Sequence, residues 1–303
     1  MTPALLLGLA LAAQSPAPPT FAARTTAVYV DVFPGRDAAR APSAADFELR
    51  DNGARQQVTL AGVDDLPLTV VMVFDVSDSV RGEKLARLKR AGHALLDGLG
   101  PRDAAALITF SERVSRVVPA GAPRGAVSAA LDALETGGAT SLWDAVYAGL
   151  LSAPPRGGAL VVLFTDGEDD MSWLSAGQVA QAAEQSNAVV YVVALPPGRR
   201  LTDTAAEVLK PGSGSATRYL EPEGVAWLHA LAESSGGRLW EASGSADLEP
   251  TFLKILHEAQ SRYVLSFEPS DPKAGWHRLE VKMRGRGRVR SRRGYFLGAP
   301  GQG

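Results

Sequence analysis

Three short clusters of oxygen-bearing side chains stand out as able to do chemistry. The first, Asp75-Val76-Ser77-Asp78-Ser79, directly follows the apolar run 68–74. Residues 75, 77 and 79 are spaced so that a tight strand-to-helix turn aims one carboxylate and two hydroxyls the same way. The second, Gly137-Gly138-Ala139-Thr140-Ser141-Leu142-Trp143-Asp144, sets a glycine-rich turn and a hydroxyl before a helix. The third, Thr165-Asp166-Gly167-Glu168-Asp169-Asp170, closes the apolar run 159–164 with a carboxylate. Oxygen donors of this kind suit hard divalent cations such as Mg²⁺, which keep several waters. No soft donor is present to select copper or zinc.

Other chemistries find little support. The chain has 303 residues and no cysteine, which removes disulfides, zinc-thiolate sites, iron–sulfur clusters and thiol nucleophiles. Its four histidines, His93, His229, His257 and His277, lie far apart in sequence and read as structural or exposed. No Gly-x-Ser-x-Gly elbow or phosphate-binding Walker loop occurs. Gly212-Ser213-Gly214 follows no strand and is not a dinucleotide fingerprint. With 31 basic and 33 acidic residues the chain is not a polycation for nucleic acid. The reading is therefore a non-enzymatic protein.

The elements that must carry the three clusters can be read from periodicity. Runs 68–74 and 188–194 are continuously apolar but for Thr69, as strands covered on both faces are, and 104–110 and 159–164 read as further strands. Helical spacing fills the intervals, including 79–99, 124–134, 142–151, 175–186, 225–234 and 248–260. Alternating strands and helices predict an α/β fold, a doubly wound, mostly parallel sheet with helices on both faces. In such sheets ligands bind beyond the carboxyl ends of the strands, where clusters one and three fall. Residues 27–33, 46–49 and 57–61 read as strands, with Asp51-Asn52-Gly53 as hairpin chemistry. Residues 262–268, 276–283 and 289–296 read as further strands without helices between them. The expected organisation is 1–23 leader, 24–65 N-terminal strands, 66–260 α/β domain and 261–298 C-terminal strands, the two flanks meeting as one small β-rich module.

The leader itself reads as a secretory signal peptide. A short apolar run, 4–13, holds Ala10 and Ala12 in a cleavage-type pattern, and a proline-rich stretch follows. The n-region has no lysine or arginine. No segment approaches the ~20 apolar residues of a transmembrane span. Secretion, or residence in the periplasm or cell envelope, is expected.

Taken together, Asp-x-Ser-x-Ser after the first buried strand, Gly-Gly-x-Thr before a middle helix, and Thr-Asp-Gly after the central strand resemble the von Willebrand factor type A (VWFA) domain. The stretches Ala-Thr-Ser-Leu-Trp-Asp-Ala, Asp-Phe-Glu-Leu-Arg-Asp-Asn-Gly and Arg-Arg-Gly-Tyr-Phe resemble its bacterial, secreted "VWFA-related" subgroup. The resemblance implies a metal-ion-dependent adhesion site (MIDAS) at Asp75, Ser77, Ser79, Thr140 and Asp166, with Ser141 as the alternative second-loop hydroxyl. It implies Mg²⁺, or Mn²⁺ or Ca²⁺, with Ser77, Ser79 and Thr140 more direct and Asp75 and Asp166 acting mainly through water. It also implies an open coordination position for an Asp or Glu of a protein partner. Asp78 departs from the pattern, since many relatives carry glycine there.

Plainer readings of the same residues exist. Ser77 and Ser79 are good N-cap residues. Asp144 reads as a tether for a neighbouring loop. The run Glu168-Asp169-Asp170 reads as a solvated loop, with a second Ca²⁺ site as the sharper option. The eight basic residues within 278–293 read as a hairpin with one cationic, solvated face. A second function follows from these plainer readings: an envelope scaffold with a purely structural metal site, binding through the β-module or the basic hairpin.

Overall fold

The computed structural model describes residues 27–33, 42–61, 66–154, 158–166, 169–195, 222–284 and 289–298. The expected leader lies outside them. No described helix is long and apolar enough to cross a membrane.

The centre is a six-stranded sheet. Four largely apolar runs form β5 (Thr69–Asp75), β6 (Ala104–Phe110), β8 (Ala159–Thr165) and β9 (Val189–Ala194). The edges are β7 (Val114–Val118) and β10 (Arg238–Glu241). The order is β10-β9-β8-β5-β6-β7, parallel except for the antiparallel β6–β7 pair. Alternation along β5 feeds two cores. Val70, Met72 and Phe74 pack toward α1 (Glu83–Asp97), α2 (Arg124–Asp132) and α6 (Leu248–Gln260). Val71 and Val73 pack toward α3 (Leu142–Ser152), α4 (Ala176–Gln185) and α5 (Pro222–Ser235). Burial on both faces explains why these strands carry no polar alternation. Gly149 lets α3 lie close on β5, because a Cβ there would sit 2.9 Å from Val73 Cγ2.

The flanks do form one module, from two antiparallel four-stranded sheets. One holds β1 (Val28–Phe33), β4 (Thr59–Ala61), β11 (Tyr263–Phe267) and β13 (Arg290–Ser291), in the order β13-β1-β11-β4. The other holds β2 (Phe47–Asp51), β3 (Ala54–Gln56), β12 (Gly275–Met283) and β14 (Gly294–Leu297), in the order β14-β12-β2-β3. Val30, Val32, Leu49, Leu265, Phe267 and Tyr295 share the core between them.

Two local expectations change. The helix expected from Ser79 begins at Glu83, because Asp78–Val80 is a 3-10 turn and Gly82 has φ +69°. That backbone bend, easy only for glycine, leaves the first loop outside the helix. The C-terminal hairpin is split: β13 pairs with β1, while β14 pairs with β12. Its described arginines are correspondingly not one solvated face. Arg292 is buried, with Nη2 donating to the Ser186 carbonyl at 3.0 Å. Arg290 lies over the Phe33 ring at 4.6 Å and pairs with Glu258 of α6 at 2.6 Å. Arg290 Nε also donates to the Gly236 carbonyl at 2.6 Å. These cations join the β-module to the α/β layers. Buried Arg262 adds a third joint, with Nε 2.8 Å from Asp31 Oδ1 on β1 and Nη1 donating to Ala259 O at the end of α6.

Candidate metal centre

Beside β5 the chain reverses its winding: β6 is added on one side and β8 on the other. At such a switch point the loops leaving adjacent strands diverge and open a crevice. Cluster one leaves the end of β5 and cluster three the end of β8, so the two meet there. Cluster two is laced to both by backbone hydrogen bonds. Gly137 N donates to Val76 O at 2.9 Å, and Asp78 N to Gly138 O at 3.0 Å. Asp170 N and Met171 N donate to Thr140 O at 2.8 and 3.0 Å. Gly138 sits at φ +85°, the bend that turns cluster two toward cluster one.

Within the crevice the oxygens form a chain. Asp75 Oδ1 accepts from Ser77 N at 2.9 Å. Ser77 Oγ and Ser79 Oγ are 3.0 Å apart, and Ser79 Oγ donates to Asp166 Oδ1 at 2.7 Å. Asp75, Ser77, Thr140 and Asp166 are buried, whereas Ser79 is exposed. The serines are not helix caps: Ser77 precedes the 3-10 turn without a side-chain cap bond, and α1 starts from Gly82.

The electrostatics of the cluster are unbalanced. Burial is the main influence on the Asp75 carboxyl and, with Asp166 adding its like charge, pushes it up to about 6 despite the hydrogen bond from Ser77. Thr165 Oγ1 also donates to Asp75 Oδ2, at 3.2 Å. Every hydrogen bond named to Asp75 thus comes from a neutral donor. A nearby dication would reverse the upward shift, since opposite charge favours the ionised form.

The donor set fits a small hard ion. Among the described residues no three His, Cys, Asp or Glu side chains are grouped to hold a metal, so hydroxyls would have to supply much of any coordination. Neighbouring oxygens around octahedral Mg²⁺ lie about 3 Å apart, given Mg–O of about 2.1 Å. The Ser77–Ser79 spacing of 3.0 Å matches that edge.

Sequence reasoning missed two residues here. Thr165 was read only as part of the third motif. Lys84, on the first turn of α1, places Nζ 2.9 Å from Asp166 Oδ2 and 3.0 Å from Ser79 O. Its only sequence signal was its place, five residues after Ser79. Asp144 is a tether, accepting from Trp173 N at 3.0 Å and Leu174 N at 2.9 Å. Asp169, read as solvated, instead accepts from Leu142 N at 2.8 Å at the start of α3, where the free amides and the dipole favour a carboxylate. Glu168 lies outside the described residues. Asp78 faces solvent and pairs with Arg81. Ser141 is buried as the N-cap of α3. Two apolar side chains stand in the open on the third loop: Met171, and Trp173 at 94% exposure.

Comparison with known proteins bears on the fold and the family. Human inter-alpha-trypsin inhibitor heavy chain H4 is 30% identical over 149 residues, 44% of this chain. The match spans only 16% of that protein's length. A von Willebrand factor type A protein from Catenulispora acidiphila has the same fold, with TM-score 0.53 and 14% identity over 86% of this chain and 73% of that one. Proximal thread matrix protein 1 of mussel byssus, in a form with a zinc-occupied MIDAS motif, gives TM-score 0.49 and 18% identity over 67% of this chain and 47% of that one. The sequence pattern of the von Willebrand factor type A domain matches residues 69–220, half of the chain, from the first strand of the central sheet to beyond β9. The chain belongs to the von Willebrand factor type A domain family.

Proposed function

We propose that this protein is an exported or envelope binding module whose MIDAS engages an acidic residue of a protein partner. Domains of this family are in general metal-dependent protein-interaction modules. The observation that carries the reading here is the oxygen chain Asp75–Ser77–Ser79–Asp166 at the switch point, with its buried carboxylate served by neutral donors. Asp75, Ser77, Ser79, Thr140 and Asp166 would hold Mg²⁺, or Mn²⁺ or Ca²⁺. The bound ion would supply a Lewis-acidic position for a carboxylate from outside. Asp75 and Asp166 balance its charge, while the hydroxyls hold it without adding charge. The surrounding residues would serve recognition of that carboxylate. Exposed Met171, whose amide donates to Thr140 O, and exposed Trp173 two residues on would offer an apolar contact to the residue flanking the partner's acid. Export is supported by the apolar run 4–13 with its small-residue cleavage pattern.

The scaffold alternative, binding through the basic hairpin, is weakened by Arg290 and Arg292. Both are engaged inside the molecule. A displayed random-peptide library panned against the protein in Mg²⁺ and in EDTA tests the reading. Enrichment of Asp- or Glu-containing peptides, lost in EDTA and with Asp75→Ala, is expected. Peptides indifferent to both would overturn it.

A further inference from the structure

The metal-centre reading counts only oxygens, yet a cation of the chain itself is built into the cluster. Lys84 Nζ bridges the third loop, through Asp166 Oδ2 at 2.9 Å, and the first loop, through Ser79 O at 3.0 Å. Asp166 is almost fully buried, and the Lys84 side chain is about two-thirds buried at 35% exposure. Both carboxylate oxygens of Asp166 are thereby engaged, Oδ1 by Ser79 and Oδ2 by Lys84. Asp75 has no comparable cation among its named partners. The two carboxylates of the cluster are therefore not equivalent.

We infer that Lys84 sets the affinity and selectivity of the site: its ammonium shares Asp166 with the bound dication, weakening the ion's hold and leaving excess positive charge for an incoming carboxylate. The inference rests on the metal-centre reading. A like charge bonded to a shared carboxylate acts against the ion at short range, where burial limits screening. A carboxylate arriving from a partner meets two cations instead of one. Ion and acid then bind with positive coupling, and by linkage each strengthens the other equally.

The test uses the full chain and MgCl₂ alone, titrated calorimetrically against wild type, Lys84→Met and Lys84→Arg, then repeated in millimolar acetate. Lys84→Met is expected to bind Mg²⁺ on the order of tenfold tighter. It should also lose most of the gain in Mg²⁺ affinity that acetate gives wild type. Lys84→Arg, which keeps the charge, should stay near wild type in both. A Lys84→Met protein that folds and binds Mg²⁺ equally or more weakly than wild type overturns the inference while the metal site stands. If Lys84→Met does not fold, Lys84→Gln carries the same two expectations. Absence of Mg²⁺ binding in wild type and in the lysine variants alike overturns the metal-centre reading and this inference with it.

Discussion

Two buried carboxylates, one in each half of the molecule, are treated in opposite ways. Asp51, in the β-module and 3% exposed, is met by the chain's own groups: His277 Nδ1 lies at 2.9 Å and the Tyr295 hydroxyl donates at 3.0 Å. His277 Nε2 faces the Lys273 carbonyl at 2.7 Å, so both ring nitrogens point at acceptors and the ring is suited to carry both protons. Asp75, fully buried at the end of β5, receives an amide and a hydroxyl and faces a second carboxylate. A buried charge is tolerated when it is paired, and is costly when it is not. Asp51 is thus part of the scaffold. Asp75 has no cation among its named partners, and that difference in pairing separates the two clusters.

The largest effect should come from breaking the satisfied pair. His277→Ala leaves Asp51 buried without its histidine partner and should cost about 3–5 kcal/mol in denaturant unfolding. The Mg²⁺ response of the remaining protein should be unchanged. Loss of that response would show that the two regions are not independent.

Next in size is the ion's own contribution. At about 100 times its dissociation constant, a ligand binding only the folded state adds about 2.7 kcal/mol. Wild type should show that gain as a rise in thermal midpoint with MgCl₂, and Asp75→Ala should show none. A rise that survives Asp75→Ala would mean that the cation binds elsewhere.

The pH dependence distinguishes the same two sites. Burial is the strongest influence on His277 and acts downward, but the Lys273 carbonyl and Asp51 outweigh it, so its pKa is raised above the ordinary 6.5. A histidine raised on folding stabilises fully below the ordinary value and loses that contribution as pH rises through the folded one. Thermal midpoints in EDTA should therefore fall from pH 6 upward more steeply in wild type than in His277→Gln. Equal slopes would remove His277 from the account.

The smallest stability effect should be Trp173→Ala, within about 0.5 kcal/mol because the side chain is in solvent. Binding of the selected acidic peptides should nevertheless weaken by about tenfold, as exposed aromatic anchors at interfaces do. Unchanged peptide affinity would confine recognition to the ion.

Much of this was legible beforehand. The four apolar runs are strands because two-sided burial suppresses alternation, and Asn52-Gly53 makes its turn at φ +46° and +84°. The first helix was expected four residues early because apolar spacing carries on through a loop that Gly82 bends away. The C-terminal arginines were misread because a basic, alternating stretch looks the same whether its face meets water or another layer. Only the position of Glu258, Gly236 and Ser186 decides which.

From the residue order alone came the strand and helix pattern and the three oxygen-bearing loops, since these depend on neighbours a few positions apart. Tertiary structure alone decided that Lys84 would reach Asp166, 82 residues away, and that Thr165 would reach Asp75, 90 residues away. It also decided that His277 would answer Asp51 across 226 residues. The physical reason is range: turn chemistry and periodicity act along the chain, but which charge meets which partner is set by strand order, and that is a property of the whole sheet.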